Sequence, residues 1–468
     1  MSMSRRAVDR QEELWIATGD LARSPGHPFY RKLNQILARH GFDQFVEGLC
    51  EGFYAQKLGR PSIPPGVYFR MLMIGYFEGL DSERGIDWRC ADSLALRDFL
   101  GYSLKQQTPD HSTLSKTRER IDLEAHQEVF TWVLTVLAQE GLLKGKTIGI
   151  DATTLEANAA LRSIVRRDSG ESYQEFLIGL AKASGIQTPT RQELAKLDRK
   201  RAGKASNDHW EHPHDPHARV AKMKDGTTHM AHKAEHAVDM DTQAVVAVTV
   251  QGADRGDTST IYQTLAQGAE NLRELRDASD AQGGQAEQGI REVVADKGYH
   301  SSDVMRDMAE IGIRTYISEP DRGARKWAGK ALEKSAVYGN RRRIRGVRGR
   351  RLRAKRGEVL ERSFAHSYET GGMRRTHLRG HPKILKRLLI HICGLNLSLV
   401  MRKLLGAGTP RGLQDALGRA LDSILGVLRL FGVSARAFLV TVLVCGWHES
   451  GHRMNQVFPA RGMRVPTK

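Results

Sequence analysis

Cysteine is scarce in this chain: four residues among 468, at positions 50, 90, 393 and 445, with no Cys-x-x-Cys pair. That spacing excludes a disulfide framework and a cysteine-ligated zinc site, and it fits buried free thiols in a reducing compartment. Long apolar runs are lacking as well. The longest, Phe438-Leu-Val-Thr-Val-Leu-Val-Cys445, falls far short of the roughly 18 residues a membrane-spanning helix needs. Met1-Ser-Met-Ser-Arg-Arg6 leads into polar and acidic residues where a signal peptide would have its apolar core, so a cytoplasmic location is expected. The third shortage is of acid: 54 aspartates and glutamates face 72 lysines and arginines, a formal charge of +18. Such an excess favours a polyanionic partner, nucleic acid before an anionic membrane surface.

What is present divides by period. A chain of this length holds two or three domains with at least one large core. From about 10 to 140, apolar residues recur at three- and four-residue spacing, as in Tyr68-Phe-Arg-Met-Leu-Met-Ile-Gly-Tyr-Phe77 and from Val129 to Leu143, which predicts an all-helical domain. Thr108-Pro-Asp-His-Ser-Thr-Leu114 reads as a helix start, with Thr108 as cap, Pro109 in the first turn and Asp110 complementing the helix dipole. Lys116, Arg118 and Arg120 on that helix face either DNA or plain solvent. From Lys146 the pattern changes to short β-branched runs at 147–151, about 228–239, 244–250, 292–296 and 313–317. Asp239-Met-Asp-Thr-Gln243 reads as a hairpin turn, and helical stretches near 258–275 and 301–311 imply crossovers in a mixed sheet. A hairpin first and crossovers after it suit an α/β, RNase-H-like fold. A polar insertion at 157–227 interrupts that fold, 277–288 reads as a flexible surface loop, and long amphipathic helices are expected from 380 to about 448. The expected division is a helical N-terminal domain over 1–140, a catalytic domain over 141–405 and a helical tail over 406–468.

Two of the strands end in aspartate. In Thr147-Ile-Gly-Ile-Asp151, alternation puts Ile148 and Ile150 on one face and Asp151 on the other, with Gly149 leaving room beside it. Val293-Val-Ala-Asp296 ends the same way, and Lys297-Gly298 lets the chain turn sharply. If these strands are neighbours, both carboxylates meet at one edge; either aspartate alone is more often a turn or cap residue. Glu358 and Glu361, one helical turn apart, offer a third acid. Leu360, Phe364 and Tyr368 define a buried stripe, and Glu361 lies next to it, so Glu361 is preferred; its alternative role is an ion pair with a neighbouring arginine. Three convergent carboxylates supply the hard oxygen ligands that a pair of Mg²⁺ ions takes, one ion activating an attacking oxygen and the other stabilising a leaving one.

The segment from Arg341 to Arg356 carries nine arginines and a lysine without one acid. Its like charges repel, so the run reads as a phosphate-binding surface, with a solvated loop as the alternative. Arg374-Arg-Thr-His-Leu-Arg379 would extend that surface. His209, His212, His214 and His217 invite a zinc reading, but Pro213 and Pro216 break any helix there and no cysteine lies nearby, so the segment is taken as a polar loop.

Together these residues resemble the DDE-type transposases of bacterial insertion sequences, over most of the chain. Gly149-Ile-Asp-Ala-Thr153, Ala295-Asp-Lys-Gly-Tyr299 and Leu360-Glu-Arg-Ser-Phe364 look like the family's three acidic blocks, and Gly371-Gly-Met-Arg-Arg-Thr-His-Leu-Arg-Gly380 like its downstream arginine block. Asp215-Pro-His-Ala-Arg219, with His232-Lys-Ala-Glu-His-Ala-Val-Asp239, is similar to the segment leading into its second strand. Gly79-Leu-Asp-Ser-Glu83 and Pro109-Asp-His-Ser-Thr-Leu-Ser115 resemble its helical N-terminal domain, which in the family helps bind element ends. The resemblance implies an RNase-H-like core in which Asp151, Asp296 and Glu361 are catalytic and hold two Mg²⁺ ions, with Mn²⁺ able to substitute. It implies double-stranded DNA as partner, at element ends and target, bound by a homodimer associated with the nucleoid, with neither membrane nor small-molecule substrate. With the arginine run included, the expected DNA contacts are Lys297, Tyr299, Arg341, Arg342, Arg343, Arg345, Arg356, Arg362, Arg374, Arg375 and Arg379.

Many relatives carry a tyrosine and an arginine seven and four residues before the catalytic glutamate and a lysine seven after it. Here those positions are Ala354, Gly357 and Tyr368, and Arg356, Arg362 and Arg375 are expected to take over the roles. The implied activity is cleavage at the ends of a mobile element followed by joining of the 3′-OH to a target. An RNase-H-fold DNA nuclease and a non-catalytic repressor derived from a transposase are the alternatives.

Overall fold

The computed structural model describes residues 27–55, 62–201, 206–223, 226–280, 289–321, 323, 325–416, 418–419 and 423. Cys445 and the apolar run around it lie outside them, as does most of the 406–468 tail. The described chain opens with α1 (Pro28–Arg39), α2 (Phe42–Cys50), α3 (Pro65–Glu78), α4 (Glu83–Asp92), α5 (Leu94–Phe99), α6 (His111–Arg120) and α7 (Leu123–Gln139). The centre of this unit is α3, which is buried on every face from Gly66 to Phe77. Even Arg70 is enclosed, because its guanidinium forks onto Asp43 at 2.5 and 2.8 Å. Two expectations about α6 are corrected. Asp110 is the cap, its carboxylate accepting the Thr113 amide at 2.7 Å, while Thr108 is buried upstream. Arg118 is buried against Glu83 and cannot face DNA; Lys116 and Arg120 are exposed.

The sheet is built from β1 (Thr147–Glu156), β4 (Arg219–Lys222), β5 (Thr228–Asp239), β6 (Val245–Gly252), β7 (Glu292–Ala295) and β8 (Arg314–Ile317); β2 (Val165–Arg166) and β3 (Trp210–Glu211) pair separately. β5 runs antiparallel to β1, with Asp151 opposite His236. On its other side β5 pairs antiparallel with β6 and the short β4. β1 is parallel to β7, with Ile150 beside Ala295, and β7 is parallel to β8. The hairpin between β5 and β6 turns where expected, and Gln243 takes the left-handed φ of 71° that the turn demands. This is the mixed, RNase-H-like order expected from the pattern of runs.

The insertion between β1 and β4 folds into a small unit. Helices α8 (Tyr173–Ala183) and α9 (Arg191–Lys200) join β2 and β3 around a buried Trp210, which Tyr173 and Phe176 meet edge-on. The histidine segment is a run of turns with His209, His214 and His217 exposed, as a polar loop would have them; His212 departs from that and is buried, and buried Asp215 accepts from His232 at 3.2 Å.

Helices cover both faces of the sheet. α10 (Asp257–Asp280) and α11 (Ser302–Glu310) cover the face carrying Ile148, Ile150, Val293 and Ala295. α10 extends through Asp280, so 277–280 is helix where a loop was expected, and 281–288 lie outside the described residues. α12 (Ala331–Arg345), α13 (Val347–Phe364) and α14 (His381–Leu405) complete the set. α14 is not amphipathic but buried nearly all round, joining α3, α7 and β6 in one core. It opens a stretch apolar enough to cross a bilayer by length and composition, and 94% of that window is buried inside the fold. Burial also pushes the thiols of Cys50 and Cys90 up, to about 11 and about 12, so neither is a reactive thiolate.

Both edges of the sheet are closed by an asparagine. Asn340 of α12 donates to the Ile317 carbonyl at 2.8 Å and accepts its amide at 3.1 Å on β8. Asn396 of α14 does the same to Val245 on β6, both at 2.9 Å. A side-chain amide offers a donor and an acceptor in the order a strand would present, so the outward N–H and C=O of Ile317 and of Val245 are satisfied without another strand. Asn340→Leu and Asn396→Leu should each cost roughly 2–5 kcal/mol, since each orphans two buried groups. Thermal unfolding checks this, and an unchanged midpoint would show that neither amide closes its edge.

Candidate active site

The parallel pairing of β1 and β7 brings Asp151 and Asp296 side by side, each one residue beyond the Ile150–Ala295 pair. Asp151 emerges on the face opposite Ile148 and Ile150, beneath α13. That helix can lie close because position 149 has no side chain: a Cβ there would sit 2.6 Å from the Met240 sulfur and 3.4 Å from Leu360. The room left by Gly149 is thus filled by α13 and Met240 and is not left open beside Asp151. Gly298 is explained in the same way. Its backbone needs no left-handed turn, but a Cβ would lie 2.4 Å from a carboxylate oxygen of Asp257.

One guanidinium spans the two aspartates. Arg356 of α13 donates to Asp151 Oδ2 at 2.9 Å, and its other terminal nitrogen lies 3.9 Å from Asp296 Oδ1. The backbone amides of Ala152 and Lys297 add hydrogen bonds to the two carboxylates, at 2.9 and 2.6 Å. Burial pushes the Asp151 carboxyl up; the Ala152 amide and Arg356 pull the other way, and the charges of Asp296 and Asp257 add to the rise.

Beneath the Asp296 turn lies a group of residues, Asp257, Lys233, Glu235 and Thr260, to which sequence reasoning assigned no role at the site. Asp257 opens α10 and binds Lys233 Nζ at 2.6 Å. Fully buried Glu235 accepts from Tyr299 at 2.7 Å and from Thr260 at 2.8 Å. Tyr299 is consequently buried and held as a support for the turn, which corrects its expected role as a DNA contact.

Glu361 stands apart from the two aspartates. It is exposed and forms no ion pair or hydrogen bond among the described residues, while Glu358 pairs with Arg362 at 2.7 Å. The buried stripe of α13 is Leu352, Val359, Leu360 and Ser363; Phe364 is only half-buried. Arg353 reaches Ser318, just past the C-terminal end of β8, so its flank of α13 looks toward the edge where Asp151 lies. Arg362 is exposed and reaches Gln243 in the β5–β6 hairpin, at the opposite end of β1 from Asp151. At 100° per residue Glu361 follows Gly357 and Arg353 on the first flank, and Glu358 shares the second with Arg362. A π-helical stretch, Ala365–Thr370, follows directly.

The donor set suits a divalent cation: two hard carboxylates that already attract one cation, the guanidinium. A complete metal site is not assembled, since among the described residues no group of three or more His, Cys, Asp or Glu is arranged to hold a metal. This holds for the four histidines of the insertion as well as for the catalytic edge.

No curated protein matches the chain. Two family models do: "Transposase domain (DUF772)" over residues 19–120 and "Transposase DDE domain" over residues 190–397. The chain belongs to the DDE-type insertion-sequence transposases. Its family consists of DNA-binding, DNA-processing enzymes that use divalent metals. The match to the DDE model begins beyond Asp151, so the assignment of that residue rests on the pairing of β1 with β7.

The transposase divides its arginines between fold and surface. Arg341 forks onto Glu319 at 2.6 and 2.9 Å, Arg343 donates to the Thr315 carbonyl at 3.0 Å, and Arg348 holds buried Glu292. The run is two helices and not a loop, and these three residues hold the fold together, because acids or a strand residue distant in sequence meet them: Glu319 and Glu292 for Arg341 and Arg348, and Thr315 for Arg343. Arg342, Arg345, Arg350, Arg351 and Arg353 are exposed. On the far side of Asp151, Arg374 and Thr376 hydrogen-bond through their backbones to Glu156 at the end of β1, at 3.1 and 2.9 Å. That contact sets exposed Arg374, Arg375 and Arg379 beside the strand, at a cleft of about 400 Å³ that Glu156, His212, His229, Arg375 and Arg379 help to line. Lys297, next to Asp296, is exposed too.

Replacing Arg342, Arg345, Arg350 and Arg351 with alanine should weaken DNA binding about equally for element ends and random duplex. The salt dependence should flatten by up to roughly 0.9 log units per lost phosphate contact. Arg341→Ala should instead lower the thermal midpoint. A loss of affinity confined to element ends would mean that these arginines read sequence.

Proposed function

We propose that this transposase cuts DNA at the ends of its own element and joins the freed 3′-OH to target DNA, with Asp151, Asp296 and Glu361 as its catalytic carboxylates. The observation that carries the reading is the side-by-side position of Asp151, in the middle of β1, and Asp296, just past β7, where the parallel pairing of the two strands ends, under a helix with exposed arginines. Asp151 and Asp296 would hold two divalent ions, Mg²⁺ or Mn²⁺. When bound, these ions activate the attacking oxygen and neutralise charge on the leaving one.

The chain's own residues supply grip and position. Exposed arginines of α12 and α13 hold the backbone of one DNA segment, and Arg374, Arg375 and Arg379 hold it beyond Asp151. Lys297 contacts the phosphate nearest Asp296. Glu361 completes the site by turning in from its flank of α13, and the π-helical stretch after it is the point at which the helix can shift. A homodimer, associated with the nucleoid, would bring two element ends together.

Asp296→Asn should abolish metal-dependent cleavage while leaving DNA binding intact or slightly tighter, because it removes a ligand and one negative charge. The wild-type protein given a pre-cut element end and a target plasmid should yield joined product. Retained cleavage in Asp296→Asn would dismiss the site, and cutting without joining would make the protein a nuclease.

A further inference from the structure

We infer that the Arg356 guanidinium is a stand-in cation: it holds Asp151 and Asp296 together in the free protein and passes to a DNA phosphate when a divalent ion binds there, so that metal and DNA promote each other's binding. The inference rests on the function proposed above.

Its basis is the way the grip of Arg356 on its acids differs from the grips of Arg341 and Arg348 on the same two helices. Arg341 grips Glu319 with two hydrogen bonds, and Arg348 holds a Glu292 side chain that is only 1% exposed. Arg356 has one close contact, at 2.9 Å, and one at 3.9 Å to an aspartate whose side chain is 49% exposed. The grip is uneven and open to solvent on one side. Space to move is present, for a Cβ built on the next residue, Gly357, would meet no atom within 4 Å. A destination is near as well, since exposed Arg350, Arg351 and Arg353 on the same helix would draw a phosphate backbone alongside.

Two cations cannot share the same carboxylate oxygens without strong repulsion, so a metal must displace the guanidinium. Freed without DNA, Arg356 would lose its counter-charge. With DNA it gains a phosphate, and the displacement costs less. The coupling is reciprocal by thermodynamic necessity.

Mn²⁺ titrations followed by electron paramagnetic resonance, with and without a short duplex, test this. Without DNA, Arg356→Gln should bind Mn²⁺ on the order of tenfold more tightly than wild type. Adding duplex should raise the wild-type affinity by a similar factor and that of Arg356→Gln by clearly less. Equal or weaker Mn²⁺ binding by DNA-free Arg356→Gln overturns the inference, as does an equal gain from duplex in both proteins. If Arg356→Gln does not fold, Arg356→Lys decides: one ammonium cannot span both aspartates, so its Mn²⁺ affinity should rise, and no rise overturns the inference. Asp151→Asn separates the two levels of failure. Wild-type Mn²⁺ binding in that variant removes the proposed site and the inference with it, whereas lost binding beside an unaltered Arg356→Gln removes only the stand-in role.

Discussion

Two carboxylates side by side where a parallel strand pairing ends must be answered by positive charge, and much of this protein is arranged around that need. The pairing of β1 with β7 sets Asp151 next to Asp296. Partial burial makes the ionised form of Asp151 costly, and Arg356 offsets the cost. To deliver Arg356, α13 must lie directly on β1, which is why residue 149 is glycine and why Leu360 fills the space above it. The Asp296 turn is braced from below by Tyr299 and Glu235, and its tightness against Asp257 demands glycine at 298.

The same economy governs the basic residues. An excess of cations over acids would oppose folding if all of them lay free, yet the acids present are placed where they matter. Glu319 and Glu292 each take an arginine from the densest basic stretch, and Glu83 takes Arg118 inside the helical domain. What stays outward on α12 and α13, and on the 374–379 segment, is a smaller set that flanks Asp151 from two sides. The charge that binds DNA in this family is thus concentrated by the fold and not merely by composition.

Much of the architecture was legible from period alone. Alternation in Thr147–Asp151 assigned the inward isoleucines and the outward aspartate correctly, and the Asp239–Gln243 turn joined the strands it was expected to join. The failures share a cause. Arg118, Tyr299 and Arg341 are polar or cationic groups whose partners lie far away in sequence, so local patterning read them as surface. α14 was read as amphipathic, yet its polar residues His391, Asn396 and Ser398 are buried. In the fold they serve Ser367, Val245 and the neighbouring backbone.

By itself, the sequence determined the class of molecule: aspartates in apolar strand runs, a late glutamate and a cationic surplus are local properties that no packing can add or remove, although β1 runs on past Asp151, where its end was expected, to Glu156. It also determined that a hairpin comes first and crossovers after it, because these follow from the lengths between apolar runs. Only the tertiary structure decided that Asp151 and Asp296 are neighbours, that one arginine among nine lies between them, and that Asp257 and Glu235 stand beneath. Those are contacts across tens to hundreds of residues. They depend on which faces of the sheet the helices cover, and a one-dimensional pattern carries no information about that choice.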